Sequence, residues 1–321
     1  MRCFTTGLVL FAAATGWMGN AAAQTQPMTD SYQVVHGWPK MPKGYAFGPV
    51  PGVDVDSHNH VFVVHRSKTR PIMVFDGKTG DLMASWGDGL FGESGQHGLE
   101  IDDQDNVWVT DIKNHQVMKF SHDGALLMTL GQRGVPGWDG KHFNQPTDIV
   151  VAPNGDFYVS DGYGNQRIAK FDKNGTFLRD WGSKGEAPGQ FMLPHSVERD
   201  KDGRIYVSDR MVAKIYVFDG DGKYLAEWKL PDKGRPWSLE YGADGHLWVA
   251  DGGDMLPESP DRGEILRLDL KGNVIAKFGT FGSYDGQFYW AHDVSVGKDG
   301  AVYVVDVMNG MRVQKFVPAG K

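Results

Sequence analysis

The sequence HDVSVGKDGAVYVVD (residues 292–306) joins two alternating apolar runs through a Lys-Asp-Gly turn. Alternation of apolar and polar residues is the period of a β-strand, and an Asp-Gly turn between two such runs is typical of a hairpin. His292 and Asp306 mark the ends of this unit and lie 14 residues apart. The same step recurs from Pro51 to His65, His97 to Asp111, Thr147 to Asp161, His195 to Asp209 and Trp237 to Asp251. The chain therefore contains six copies of one hairpin.

Each copy except the last continues with two further short runs, so that a unit holds four strands. In the second copy the runs cover residues 98–101, 107–109 and 116–120, followed by one that ends at Leu130. The copies begin 42–55 residues apart, and four strands at this period are typical of a β-propeller blade. We predict an all-β fold, a six-bladed β-propeller over residues 31–318, with the first strand of each blade innermost.

The last copy has three runs, of which the third ends at Phe316. The stretch from Tyr32 to Gly37 ends like the outer runs of the other copies. We predict that this N-terminal strand completes the last blade, which would join the two ends of the propeller and cover an exposed strand edge.

The composition and the N-terminal sequence narrow the possible classes of protein. A net charge of −7 without a Lys/Arg cluster argues against a nucleic-acid surface. Residues 1–23, with Arg2, a short apolar core and a run of alanines before Gln24, are typical of a cleavable signal peptide, and residues 24–30 form a polar lead-in. Cys3, the one cysteine, lies inside this signal. No later stretch is long and apolar enough to span a membrane, so we predict a secreted or periplasmic protein.

Histidine opens only the second, fourth and sixth copies, as His97, His195 and His292. Equivalent positions of a propeller form a ring, so these side chains should converge on the axis at one mouth of the channel. Three imidazoles with open positions are a ligand set of catalytic zinc. A structural or hydrogen-bonding role is the alternative. The other eight histidines, among them His58 and His60, are predicted to be solvated.

The residues just past the 14-residue step should line the same mouth, because strand one begins where strand two ends. There the copies diverge, and Arg66, Tyr163 and Arg210 stand out. Two arginines could bind a carboxylate by forked hydrogen bonds, and a tyrosine beside a metal and an arginine could have its pKa lowered enough to act as a base. Surface ion pairing is the alternative for the arginines.

Aspartate closes five of the six copies, which indicates a scaffold role, the binding of turn N–H groups. Asp293, beside the third histidine, could support that ligand or hold a hard cation such as calcium deeper in the channel. Asp148 occupies the same repeat position in the third copy, which weakens the case for a unique role of Asp293.

Several motifs follow one another in the order of a known family. They are Gln96-His97-Gly98-Leu99, Phe143-Asn144-Gln145-Pro146-Thr147-Asp148, Ser160-Asp161-Gly162-Tyr163-Gly164-Asn165, Pro194-His195-Ser196, Asp209-Arg210 and His292-Asp293. The series resembles peptidyl-α-hydroxyglycine α-amidating lyase, a six-bladed propeller of the NHL type. The resemblance spans nearly all of the propeller and is most specific between Gly95 and Arg210.

The resemblance implies a metal-dependent carbon–nitrogen lyase that splits a peptide ending in α-hydroxyglycine into an amide and glyoxylate. It implies that Tyr163, steered by Arg66, takes the hydroxyl proton and that Arg210 holds the substrate carboxylate. The implied metal sets are zinc on His97, His195 and His292, and structural calcium on Asp293 and the backbone carbonyls of Val53 and Leu99.

The chain also departs from the family. Gly164 stands where animal members carry a disulfide cysteine, and Tyr289-Trp290-Ala291 before the third histidine is bulkier than usual. No copper monooxygenase domain accompanies the propeller, so we expect a separate hydroxylating enzyme to supply the substrate. Another N-hydroxyalkyl amide or a ureido acid stays open as the substrate.

Two other classes of function remain at this stage. A non-enzymatic NHL-type propeller would bind a partner, but such a scaffold does not require the alternating histidines. A gluconolactonase-like hydrolase would place acidic and amide ligands around an axial calcium, which the three histidines disfavour.

Overall fold

The computed structural model describes residues 28–29, 32–230, 234–253 and 262–320. The predicted signal peptide, residues 1–23, lies outside this part of the chain. Within it all regular structure is β, and no helix is long and apolar enough to cross a membrane. The first two strands, β1 (Met28–Thr29) and β2 (Tyr32–Val34), both join blades formed near the other end of the chain.

Six antiparallel blades surround one axis, which confirms the six-bladed propeller. Each of the first five contains four consecutive strands, and the sixth contains three consecutive strands and β2. Blade 1 contains β3 (Gly52–Val55), β4 (His60–Val64), β5 (Ile72–Asp76) and β6 (Leu82–Trp86). Blade 2 contains β7 (Gln96–Ile101), β8 (Val107–Asp111), β9 (Gln116–Phe120) and β10 (Leu126–Leu130). Blade 3 contains β11 (Asp148–Val151), β12 (Phe157–Asp161), β13 (Arg167–Phe171) and β14 (Phe177–Trp181).

The second half of the ring follows the same order. Blade 4 contains β15 (Pro194–Arg199), β16 (Ile205–Asp209), β17 (Lys214–Phe218) and β18 (Tyr224–Lys229). Blade 5 contains β19 (Pro236–Tyr241), β20 (Leu247–Asp251), β21 (Glu264–Leu268) and β22 (Val274–Phe278). A short parallel pair follows, β23 (Thr280–Phe281) and β24 (Gln287–Phe288). Blade 6 contains β25 (Ala291–Val296), β26 (Val302–Asp306) and β27 (Arg312–Pro318), with β2 outermost.

The closure of the ring by the N-terminal strand is also confirmed. β2 pairs antiparallel with β27, with Tyr32 opposite Pro318 and Val34 opposite Phe316. This strand is shorter than predicted, since it ends at Val34 and the chain turns at Gly37, where φ is 74°. Within the polar lead-in, β1 adds a parallel fifth strand to the outer edge of blade 5.

Buried hydrophobic side chains of the described residues form six clusters, and each lies between two adjacent blades. Strand β4 shows how one strand serves two of them. Val61 and Val63 pack towards blade 6, whereas Phe62 and Val64 pack towards blade 2. Because both faces of the middle strands are buried, these strands are apolar on both faces rather than on alternate residues.

The scaffold role of the closing aspartates agrees with the structure. Asp209 accepts backbone N–H groups from Met192 (2.6 Å) and Leu193 (3.0 Å), which lie just before His195. Asp111 holds Gly92 and Asp161 holds Asn144 in the same way. Each aspartate thus fixes the loop that delivers the first residue of its own blade to the axis.

His65 takes the place of the aspartate in blade 1, and its prediction as a solvated residue is wrong. The side chain is fully buried, and its Nδ1 accepts the N–H of Gly48 (3.2 Å) in the loop before Pro51. Its Nε2 lies 2.9 Å from the carbonyl oxygen of Arg70. Burial lowers the pKa of His65 to about 4, so the ring is neutral and can accept this N–H.

A chain that starts at residue 36 should unfold at a temperature at least several degrees below that of the parent. It loses the β2–β27 ladder and the ring of Tyr32, which stacks on Phe278 at 5.0 Å. Each kcal/mol of lost stability lowers the midpoint by about 2–4 °C in a large domain. A chain that starts at residue 31 lacks only β1 and is the control in thermal unfolding. Equal midpoints for the two truncations would contradict the closure role of β2.

Candidate active site

The structure brings His97, His195 and His292 together on the axis. Their ring centroids lie 4.8–5.0 Å apart, a nearly equilateral triangle, and each residue is at most 4% exposed. One nitrogen from each ring lies within 4.8 Å of the other two. The three side chains therefore form a group that can hold a metal ion.

Each of these histidines is oriented by a backbone carbonyl of the next blade. Nδ1 of His97 lies 2.7 Å from the carbonyl oxygen of Thr147, Nδ1 of His195 lies 2.6 Å from that of Trp237, and Nδ1 of His292 lies 2.6 Å from that of Pro51. The acceptors occupy the histidine position of the copies that lack histidine. Sequence reasoning missed this partnership, because a carbonyl acceptor leaves no mark on the type of side chain.

These contacts determine the chemical state of the ring nitrogens. A carbonyl only accepts, so Nδ1 carries the proton and donates it, and Nε2 keeps a free lone pair. Burial lowers the pKa of all three rings well below the usual value. The charge of Arg210 adds to the effect at each ring, and that of Arg66 adds to it at His97 and His292. Three neutral imidazoles held by outer hydrogen bonds fit a borderline divalent ion with open coordination positions.

Tyr163 reaches this group from blade 3. Its hydroxyl lies 3.0 Å from Nε2 of His97 and 3.1 Å from Nε2 of His195. The glycines on either side of it permit this approach. A Cβ at Gly162 would overlap the carbonyl oxygen of Pro194, and a Cβ at Gly164 would overlap Asn144. Gly164 thus has a packing reason in this chain.

Arg66 and Arg210 lie near Tyr163, as predicted. The guanidinium of Arg210 stacks over the Trp237 ring at 4.1 Å and lies 5.8 Å from the Tyr163 ring. Nε of Arg66 donates to the carbonyl oxygen of Gln96 (3.3 Å). Burial raises the pKa of Tyr163, while the charges of Arg210 and Arg66 act in the opposite direction. The expected lowering of this pKa is therefore not achieved by the two arginines alone.

Below the histidines, Asp293, Val53 and Leu99 line one small cavity of about 20 Å³. Oδ2 of Asp293 accepts the N–H of Val53 (3.0 Å), and burial raises the pKa of this carboxyl well above its usual value. Asp148 lines the same cavity, and burial raises its pKa to about 7. A space of this size holds about one water or ion.

Four further carboxylates line this cavity, and sequence reasoning missed them. They are Asp54, Glu100, Glu198 and Glu240. A signal was present, because all four stand three residues after the first residue of their copy, at a position where the other two copies have Val150 and Ser295. Burial raises the pKa of Glu198 to about 8 and that of Asp54 to about 6. The described residues that line the cavity include no Lys or Arg, so a cation fits it.

Comparison with known proteins places the chain among lyase-containing propellers. Residues 141–286 match a family model described as a 6-bladed beta-propeller. The chain is 33% identical to peptidyl-glycine alpha-amidating monooxygenase B of Xenopus laevis, over 85% of this chain and 34% of that protein. It thus spans about a third of the length of the first relatives it matches.

Two relatives of more similar length match most of their own sequences. The chain is 30% identical to peptidyl-alpha-hydroxyglycine alpha-amidating lyase 2 of Drosophila melanogaster, covering 89% of this chain and 75% of that one. It is also 30% identical to human NHL repeat-containing protein 3, with coverages of 89% and 84%. Among solved structures, a streptogramin B lyase superimposes with a TM-score of 0.60 at 16% identity, over 89% of this chain and 98% of that one, which shows the shared fold.

Replacement of His97 by Ala should remove one tightly bound divalent ion per chain. The two remaining imidazoles no longer supply the three ligands of such a site. Metal analysis after zinc loading and desalting measures this loss, and His246→Ala, which changes an imidazole beside Asp244 away from the axis, is the control. An unchanged metal content in His97→Ala would show that the triad does not bind the ion.

Proposed function

Since the chain belongs to the peptidyl-α-hydroxyglycine α-amidating lyase family, we propose that it cleaves a carbon–nitrogen bond in peptides ending in α-hydroxyglycine. The products are a peptide amide and glyoxylate. The observation that carries the proposal is the hydroxyl of Tyr163 at 3.0 and 3.1 Å from two of the three axial imidazoles. A binding scaffold does not require this arrangement.

We assign zinc to His97, His195 and His292. Imidazole nitrogens suit this ion, and three protein ligands leave a position for substrate, as in catalytic zinc sites. When bound, zinc would polarise the carbinol hydroxyl and carboxylate of the substrate and add positive charge beside the Tyr163 phenol. That charge acts in the same direction as the two arginines on the pKa of Tyr163.

Tyr163 is the proposed base. It would accept the proton of the carbinol hydroxyl, whose oxygen becomes the aldehyde oxygen as the C–N bond breaks. The electron pair of that bond stays on the amide nitrogen, which takes the proton from the phenol. Arg66 would steer the phenol, and both arginines would stabilise the negative charge that develops on oxygen.

Arg210 is the proposed carboxylate clamp. Its guanidinium lies over the Trp237 ring at 4.1 Å, a contact that restricts its position without using its N–H donors. A substrate carboxylate could then receive two parallel hydrogen bonds. The peptide part of the substrate has space beside Arg66, where a cavity of about 390 Å³ is lined by Ser67, Phe91 and other residues of blades 1 and 2.

Calcium is the proposed occupant of the lower cavity. Asp293 would supply a carboxylate, and Val53 and Leu99 would supply carbonyl oxygens. Hard oxygen ligands suit calcium. The surrounding buried carboxylates support this assignment, since a bound cation relieves their mutual repulsion. This ion would tie the inner strands of blades 1, 2 and 6 together.

The activity itself is tested by incubating the zinc-loaded chain with a peptide ending in α-hydroxyglycine. We expect glyoxylate and peptide amide in equal amounts, measured by a colorimetric assay and by mass spectrometry. A chain that holds the axial ion but releases neither product would contradict the proposal and favour a propeller that only binds a partner. The substrate would come from a separate hydroxylating enzyme.

Tyr163→Phe should keep its metal and lose turnover by about 10²–10⁴-fold, the usual contribution of a general acid–base group. The phenyl ring preserves the packing, and only the hydroxyl is removed. Metal content and glyoxylate release are measured on the same preparation. The control is Tyr284→Phe, which changes a tyrosine that is 80% exposed. Full turnover in Tyr163→Phe would assign the base to another group.

Arg210→Ala should lower kcat/KM by about tenfold or more, because a hydrogen bond to a charged group is worth about 1.5–3 kcal/mol. If Arg210 binds the substrate carboxylate, the effect of the substitution should depend on the charge of that group. A methyl ester of the substrate should react poorly with the parent and hardly worse with the variant. Arg179→Ala, a surface change, is the control. An equal loss on both substrates would assign Arg210 to positioning Tyr163 instead.

A further inference from the structure

A second cluster of histidines lies at the opposite face of the propeller, in two turns. Asp56 and His58 belong to the turn between β3 and β4 of blade 1, and His60 is the first residue of β4. His122 belongs to the turn between β9 and β10 of blade 2. The turn in blade 1 begins five residues after Pro51, about 17 Å along an extended strand from the axial histidines. This cluster is therefore separate from the candidate active site.

The cluster has one buried carboxylate at its centre. Oδ2 of Asp56 lies 2.8 Å from Nδ1 of His60, 2.9 Å from Nε2 of His122 and 4.0 Å from Nδ1 of His58. The Asp56 side chain is fully buried, whereas those of His60 and His122 are 22% and 37% exposed. The prediction that His60 is simply solvated is wrong. Side chains from two blades meet here at one buried carboxylate oxygen, and the two imidazoles that contact it are partly exposed to solvent.

Comparison with the other blades shows what is unusual about these residues. Asp102 in blade 2 and Asp200 in blade 4 occupy the repeat position of Asp56, and all three close their turn by accepting backbone N–H groups at Oδ1. The second oxygen differs. Oδ2 of Asp102 lies 3.3 Å from Nζ of Lys119, and Oδ2 of Asp200 lies 2.6 Å from Nε of Arg204.

In blade 1 the place of the permanent cation is taken by imidazoles. These imidazoles contact the carboxylate as those cations contact their aspartates. Neutral imidazole is in addition one of the main ligands of borderline divalent metals, which lysine and arginine are not. In blade 1, the charged side chain that contacts the aspartate in blades 2 and 4 is thus replaced by imidazoles, which can bind a metal ion.

We propose that Asp56, His60 and His122 bind a divalent transition-metal ion of the zinc type, with His58 as a fourth donor. In a tetrahedral zinc site, bonds of about 2.0–2.1 Å place ligand atoms about 3.4 Å apart. The present separations of 2.8 and 2.9 Å need to widen, and the 4.0 Å separation to His58 needs to shrink, by about half an ångström each. A bound ion would link blade 1 to blade 2.

His58 has a second acidic neighbour within reach. Its Nδ1 lies 3.4 Å from Oδ2 of Asp105, which also accepts the hydroxyl of Ser57 (2.7 Å). Asp105 belongs to the turn between β7 and β8, so a third turn surrounds the site. The carboxylate of Asp105 faces the same nitrogen of His58 that would bind the ion, so Asp105 is itself a further candidate donor to the ion.

The test counts ions in the full chain, prepared without a histidine tag and stripped with a chelator. After zinc titration and desalting, we expect His122→Lys to bind one ion fewer than the parent, with glyoxylate release unchanged. Lysine restores the ion pair that Lys119 makes with Asp102, so this variant separates metal binding from the structural role of the cation. His142→Ala, at a surface histidine beside Asp139, should bind as many ions as the parent.

Thermal unfolding gives a second readout. Zinc should raise the midpoint of the parent by a few degrees more than that of His122→Lys, since only the parent can gain from an ion linking the two blades. His60→Asn, which carries the residue of blade 2 at this position, should behave like His122→Lys and serves if that variant does not fold. Equal ion counts and equal zinc-dependent shifts in parent and variant would overturn the proposal.

Discussion

The hydrogen bond from each axial histidine to the carbonyl of the next blade organises the centre of the molecule. It explains why histidines occupy every second copy. An even-numbered blade supplies the imidazole, and the odd-numbered blade beside it supplies the acceptor from the same repeat position, as His97 and Thr147 show. The bond fixes the ring, its tautomer and the direction of its free nitrogen at once. The residue that ends the 14-residue step, aspartate in five copies and His65 in the first, holds the loop that brings the first residue of its blade to the axis.

Along the axis, charge is separated into two layers. At the mouth, Arg66 and Arg210 surround Tyr163, which favours an anionic substrate and oxygen anions. Below the imidazoles, the carboxylates of the lower cavity form a layer that favours a cation. Because both layers are buried, each interaction acts in a low dielectric and is stronger than on the surface. The neutral imidazoles stand between them and keep the two layers apart.

Much of this architecture could be predicted from the sequence, because the repeat assigns every residue a blade and a level on the axis. His97, His195 and His292 were expected to converge, and Tyr163 and Arg210 were expected beside them. The rest depends on what a repeat does not encode. Backbone acceptors have no sequence signature, and the need for glycine at Gly162 appears only once the Pro194 carbonyl is in place. His65 was misjudged because its role was read from its residue type rather than from its repeat position.

The pairing of β2 with β27 imposes an order on the biogenesis of the protein. The outermost strand of blade 6, β2, is synthesised before blade 1, while the strand it must join, β27, is synthesised after the other strands of the propeller. The ring therefore closes only when nearly the whole chain is available, through contacts more than 280 residues apart in sequence. Pairing at such a separation is entropically slow. Until β2 pairs with it, the outer edge of β27 is exposed. A strand of another chain could pair with this edge, so it is a site of aggregation during folding.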